Sequence, residues 1–313
     1  MKQWGIWWRL VRGRNLLIVA LTQYLLQYLI LIPVFERIEL TPALSGVHFA
    51  LFALTTVLIA AGGYLINDLE DQAIDARNKP DTYIVGRLVS APTVWRVYLV
   101  LFVVGAALSI YLAFYVQNPP LALIFPAAYG LLFWYSRRLK KLPFWGNLTV
   151  AIYCAVVPGI ILFAERISFA HLYEADQVTA DRVTLLFAAY LSFAFLATLW
   201  RELIKDLEDV EGDRLEGCRT LPIIWGEGPA RRLSTFIAIM QGVLLIVCIF
   251  LLQNFLASEI VVFLLLMLPT VLLAWHSIQA RDKSAYHAIS QRLKLLMLIG
   301  LLLLFVVGWE VLY

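Results

Sequence analysis

The chain has 313 residues, 62% of them apolar and 15% charged, with a mean hydropathy of +0.81. That balance excludes a soluble globular domain and assigns the chain to a bilayer. Its net charge is only +3; no nucleic acid is expected as a partner, and what carries information is where the charges fall.

The first apolar segment, 16–34, follows a charged stretch and lacks a small-residue cleavage site behind it, so it is expected to stay as a helix. Further stretches near the roughly 20 residues that a bilayer core needs recur at 46–66, 97–116, 121–135, 144–164, 183–200, 233–252, 259–279 and 295–312. The expected fold class is therefore all-α, a single polytopic membrane domain over 1–313 with nine transmembrane helices. The uncharged run from Val97 to Ser136 exceeds one helix and is divided at Gln117-Asn118-Pro119-Pro120, where proline ends helical hydrogen bonding. Cys154, Cys218 and Cys248 are widely spaced, show no metal-ligand pattern and receive no function.

Charge alternates between the loops. Lys2, Arg9, Arg12 and Arg14 precede the first span, and Arg77, Lys79, Arg87 and Arg96 follow the second. Arg137, Arg138, Lys140 and Lys141 follow the fourth, Arg201, Lys205, Arg214, Arg219, Arg231 and Arg232 the sixth, and Arg281, Lys283, Arg292 and Lys294 the eighth. That is 22 of the 25 basic residues; only Arg37, Arg166 and Arg182 fall in the other loops. The positive-inside rule then puts the N-terminus in the cytosol and the C-terminus outside. Trp134, Trp145 and Trp200 stand near the expected cytosolic span ends, as an interfacial aromatic belt would have them.

Acid is concentrated as well, with 12 of the 22 carboxylates in two short cytosolic windows, 68–81 and 202–216. The first, with the residue before it, opens on Asn67-Asp68-Leu-Glu-Asp71-Gln-Ala-Ile-Asp75 and the second contains Lys205-Asp206-Leu-Glu-Asp209-Val-Glu-Gly-Asp213, so both contain Asp-x-x-Asp-x-x-x-Asp. On a helix these positions share one face, giving two expected acidic stripes that each continue a span. Like charges so spaced repel, and oxygen-only ligands ask for a hard cation, Mg²⁺ in particular, which takes a few carboxylates together with substrate phosphates. A diphosphate beside six aspartates also needs basic partners, for which Arg77, Lys79, Arg138, Lys140, Arg201 and Lys205 are the candidates. Lys205 stands immediately before Asp206.

At these residues the chain resembles the UbiA superfamily of intramembrane prenyltransferases. Its first motif, Asn-Asp-x-x-Asp-x-x-x-Asp, is matched by Asn67, Asp68, Asp71 and Asp75, and its second by Asp209 and Asp213 with Asp206 adjoining. Tyr135 with Lys140 is similar to its Tyr/Lys motif, one residue longer than usual, which leaves the basic role to Arg138 or Lys140. The resemblance implies a helical bundle around a lipid-open cavity, Mg²⁺ bridging the Asp motifs to a prenyl diphosphate donor, and catalytic roles for Asp68, Asp71, Asp206 and Asp209. Tyr64 and Tyr135 would meet substrate, and Tyr83 and Trp200 are further aromatic candidates beside the site. The second window looks like the branch of geranylgeranylglycerol-phosphate geranylgeranyltransferases, whose acceptor is a glycerol-phosphate lipid; the Val-Glu-Gly-Asp core is shared with chlorophyll synthases, so an aromatic or tetrapyrrole acceptor stays open. CDP-alcohol phosphotransferases are disfavoured because their Gly after the second Asp is missing. A cation or substrate transporter would place charge at mid-span, where none falls; only His48 and His276 are ionisable within the spans.

Overall fold

A computed structural model describes residues 3–78, 81–215, 217–252 and 255–312, without the side chains of Ile74, Arg77 and Asn78. Every named element is helical, as lipid requires of backbone that has no water to bond. In chain order these are α1 (Gln3–Leu10), α2 (Gly13–Leu26), α3 (Ile32–Arg37), α4 (Gly46–Glu70), α5 (Gln72–Asn78), α6 (Ala91–Tyr115), α7 (Leu121–Arg137) and α8 (Trp145–Ala164). There follow α9 (Arg166–Ala175), α10 (Gln177–Glu208), α11 (Val210–Leu215), α12 (Leu221–Trp225), α13 (Glu227–Leu251), α14 (Leu256–Val262), α15 (Leu268–Gln279) and α16 (Lys283–Leu312).

Among the described residues, eight helical stretches are long and apolar enough to cross a membrane, which makes the chain an integral multi-pass membrane protein. They coincide with eight of the nine expected spans. The remaining one, 121–135, forms α7, a helix of 17 residues that falls just short of that length, so the count supported is eight. The expected division at Gln117–Pro120 is present. Gln117 takes a left-handed φ of 52° and the fully buried Asn118 donates Nδ2 to the Phe163 carbonyl at 2.8 Å. Two spans contain a wide π turn, Gln27–Leu31 and Phe263–Met267, each immediately before a helix with proline at its second position, Pro33 and Pro269. The extra residue absorbs the hydrogen bond that proline cannot make.

The chain divides into two compact units, the first comprising Met1–Tyr24, Pro42–Leu139 and Leu162–Arg166, the second Leu25–Thr41, Lys140–Ile161 and Ile167–Tyr313. In the first, α4 packs on α6 and α7. Glycine sets the spacing there: a Cβ on Gly62 would lie 2.3 Å from the Tyr129 ring and one on Gly105 would lie 2.1 Å from Phe125. Tyr129 in turn donates its hydroxyl to the Tyr98 carbonyl at 2.7 Å. The buried Glu165 carboxylate accepts the backbone N–H groups of Ala43 (2.7 Å) and Leu44 (2.9 Å), which satisfies a charge that burial would otherwise penalise. In the second unit α10 packs against α13 and α16, with Gly300 of α16 under the Phe193 ring.

Candidate functional site

Both acidic windows lie at the ends of long helices that outrun their apolar stretches. α4 continues to Glu70 and so carries Tyr64, Asn67 and Asp68; α10 continues to Glu208 and carries Arg201, Lys205 and Asp206. The middle aspartates then cap the helices, Asp71 with φ −89° and ψ 0°, Asp209 with φ −109° and ψ 18°. Short helices resume beyond them, α5 with Asp75 and α11 with Asp213. Hydrogen bonding is the same in both. The N–H of the middle aspartate donates to the carbonyl of Asn67 or Lys205, at 3.0 Å in each case, and the third aspartate donates back to the middle one at 2.8 Å and 2.9 Å. The expectation of an unbroken acidic stripe is therefore corrected: each stripe is cut at its middle residue, which sits in a sparsely allowed backbone region. Repulsion along three carboxylates at i, i+3 and i+7 gives the physical reason.

In the first unit, Asn67 donates Nδ2 to Asp71 Oδ2 at 3.1 Å. Asp68 faces the guanidinium of Arg12 at 3.6 Å, and that guanidinium also lies 4.7 Å from the centroid of the Tyr64 ring. Tyr64 Oη accepts from Asn15 Nδ2 at 3.2 Å, so this ring is engaged by protein on its face and at its hydroxyl. Glu70 accepts from Arg137 Nε at 2.8 Å. Such half-exposed pairs contribute about 1 kcal/mol or less to stability; their effect is to position charge. Tyr135 is half-buried on α7, Arg138 caps that helix in an exposed position, and Tyr83 is half-buried in the loop after α5. Arg77 lies on α5, with its side chain outside the description, and Lys79 lies outside the described residues.

In the second unit, Asn147 of α8 donates Nδ2 to Asp206 Oδ2 at 2.9 Å. Lys205 does not turn to Asp206. Its Nζ donates to Glu202 at 2.8 Å, and Arg201 donates to the other oxygen of the same carboxylate at 3.2 Å. Successive helical residues point about 100° apart, so the lysine pairs with Glu202, one turn back, rather than with its sequence neighbour. Lys140 lies in a 3₁₀ turn, Leu139–Lys141. Two residues of α16 join the acidic end, Lys283 at 3.3 Å from Asp209 and His287 at 2.7 Å from Glu208. Trp200, expected at the interface, is fully buried, a correction that follows from its place on the packed side of α10; Trp134 and Trp145 are more than half exposed.

Arg12, in the turn between α1 and α2, and Asn147, Lys283 and His287, on helices, escape the sequence reading because each reaches the acidic residues from far along the chain. Among the described residues no three Asp, Glu, His or Cys side chains converge to hold an ion by themselves. The donors present are carboxylate and amide oxygens, a set that fits Mg²⁺, which fills its octahedron with water and substrate phosphate.

A family model described as the UbiA prenyltransferase family matches residues 38–298. The digeranylgeranylglyceryl phosphate synthase of Methanopyrus kandleri is 37% identical over 191 residues, covering 61% of this chain and 63% of that one. The match thus spans less than two thirds of the relative's length. A solved structure concerning digeranylgeranylglyceryl phosphate synthase in membranes superposes with a TM-score of 0.65 at 22% identity, over 100% of this chain and 99% of the other. A UbiA homologue from Archaeoglobus fulgidus bound to DMAPP and Mg²⁺ gives 0.56 at 17% identity, covering 95% of this chain and 98% of that one. These two likenesses establish the fold.

Proposed function

Because this chain belongs to the UbiA prenyltransferase family, we propose that it is a Mg²⁺-dependent enzyme acting as one domain over 1–313. It moves a prenyl group such as geranylgeranyl from its diphosphate to the hydroxyl of a glycerol-phosphate lipid such as geranylgeranylglyceryl phosphate. The observation that carries this reading is the twofold Asp-x-x-Asp-x-x-x-Asp with the same helix break at Asp71 and Asp209. The description of the Methanopyrus kandleri relative supports the choice of acceptor.

Asn67, Asp68, Asp71 and Asp75 would hold metal in the first unit, and Asp206, Asp209 and Asp213 in the second. Bound Mg²⁺ supplies neutralising charge to a diphosphate leaving group. The chain's own groups do the rest. Asn67 also orients Asp71 through its amide N–H, and Asn147 orients Asp206 as an outer partner of a metal ligand does. Arg77, Lys79, Arg138, Lys140, Arg201 and Lys205, joined by Arg12, bind diphosphate oxygens and stabilise the charge that develops there. The allylic C–O bond breaks with its electron pair leaving on the diphosphate. The acceptor oxygen forms the new ether bond, and its proton passes to the departing diphosphate. Apolar walls keep water from the cationic carbon. The basic loops put this chemistry, and the N-terminus, on the cytosolic side, with the C-terminus outside.

The test offers radiolabelled geranylgeranyl diphosphate and Mg²⁺ to the purified protein with glycerol-phosphate, aromatic and tetrapyrrole acceptors. The expected product is a doubly prenylated glycerol-phosphate lipid. An exclusively aromatic or tetrapyrrole product would refute the acceptor, and no product with any acceptor, together with donor binding unchanged in EDTA, would refute the enzyme. Asp71→Ala and Asp209→Ala should each lower kcat by about 10²-fold or more with an unchanged melting transition, since neither side chain is in the packed core.

A further inference from the structure

A basic groove opens between α13 and α15, within the second unit, and the transferase reading makes no use of it. Its volume is about 320 Å³, and Arg231, Arg232 and Arg281 stand around it above Phe236, Ile239 and Ile278. None of the three arginines forms an ion pair with a carboxylate among the described residues. Arg231 and Arg281 each spend one Nη1 on carbonyls at the end of α15, Arg231 on Ala280 at 3.5 Å and Arg281 on Ile278 at 2.6 Å and Ala280 at 2.8 Å. A guanidinium has five N–H donors, so both retain donors, and the side chain of the exposed Arg232 makes no hydrogen bond among the described residues. Asp282, the nearest acid in sequence, is occupied in capping α16 through the Ala285 N–H at 2.9 Å.

The other half of the groove is apolar and faces lipid. Phe236 and Ile239 are each 53% exposed and Ile278 is 45% exposed, and all three lie on helices long and apolar enough to span a bilayer. Val243 continues the exposed face along α13 and Trp275 along α15. Plain positive-inside charge explains arginines at span ends, but not their convergence on a cavity whose floor runs into the lipid-facing surface. Planar, always-charged guanidinium groups match phosphate oxygens in pairs, and the apolar floor matches a chain attached to that phosphate.

We propose that the groove between α13 and α15 is a binding site for an anionic phospholipid of the bilayer, its headgroup phosphate on Arg231, Arg232 and Arg281 and its chain along Phe236, Ile239 and Ile278. Free phosphate shares the headgroup chemistry and lacks the chain. The inference does not depend on the reaction the protein performs.

The test is lipid retention by the detergent-purified full chain, read by native mass spectrometry after exposure to phosphatidylglycerol or phosphatidylcholine. Wild type should retain phosphatidylglycerol in preference to phosphatidylcholine. Arg232→Gln, which breaks no internal hydrogen bond, should retain phosphatidylglycerol about fivefold less well, the worth of one basic residue near an anionic headgroup, with an unchanged melting transition. The triple Arg-to-Gln variant should lose the preference. Equal retention of the two lipids by wild type would overturn the proposal, as would undiminished phosphatidylglycerol retention in the triple variant. Displacement of the lipid by millimolar inorganic phosphate would assign the arginines to a free anion instead.

Discussion

Asn147 reaches Asp206 from the first turn of α8, and the contact is a sensitive probe of how that carboxylate works. An amide has no charge to contribute, so its worth lies in fixing the direction of an oxygen. Asn147→Ala should lower kcat about 10- to 100-fold, the usual cost of deleting an outer partner of a metal ligand, and should raise the Mg²⁺ concentration needed for half-maximal rate. Unchanged metal dependence would separate Asn147 from the site. Asn67 is legible in the sequence because it stands inside the motif that it serves. Asn147, Arg12 and Lys283 are not, because nothing local marks a residue whose partner lies 56 or more positions away along the chain. Lys205 stands immediately before Asp206 in the sequence, and helical geometry adds a pairing that the sequence does not show, with Glu202 three residues earlier.

At the scale of the element, hydropathy located the spans well and their ends poorly. The apolar run of α10 stops near Trp200, yet the helix continues through Arg201 to Glu208 because Leu203, Ile204 and Leu207 still bury a face. Charge ends a transmembrane stretch without ending a helix, so both acidic windows belong partly to helices and partly to the breaks after them. Packing within the first unit gives its own prediction. Gly105 of α6 lies against the fully buried Phe125, and its Cβ would meet that ring at 2.1 Å. Gly105→Ala should destabilise the protein by about 1–3 kcal/mol, the cost of overpacking a closed core, seen as a lower melting temperature in detergent. A variant as stable as wild type would mean that α6 and α7 can separate at no cost.

For the whole molecule, the alternation of 22 basic residues against three and the supported count of eight spans make different demands on α7. Its 17 residues rise roughly 25 Å at 1.5 Å per residue, within the range of spanning helices though below the ~30 Å of an average hydrocarbon core. A helix this short can cross if the bilayer thins or flanking side chains reach outward. Arg137, Arg138, Lys140 and Lys141 crowd one end, and Gln117, Asn118, Pro119 and Pro120 the other, so the charge pattern argues for crossing with the basic end inside while the length argues against it. If α7 crosses, Gln117 lies outside and Arg219 inside, and the two chain termini lie on opposite sides. Single cysteines at Gln117 and Arg219, in a background with Cys154, Cys218 and Cys248 replaced, can be labelled in intact cells with a maleimide that does not permeate the membrane. Gln117→Cys should label without permeabilisation and Arg219→Cys only after it, while a reporter fused behind the C-terminus should read as external. An internal C-terminus with the N-terminus also inside would reduce the chain to eight spans and leave α7 within the fold as a helix that does not cross.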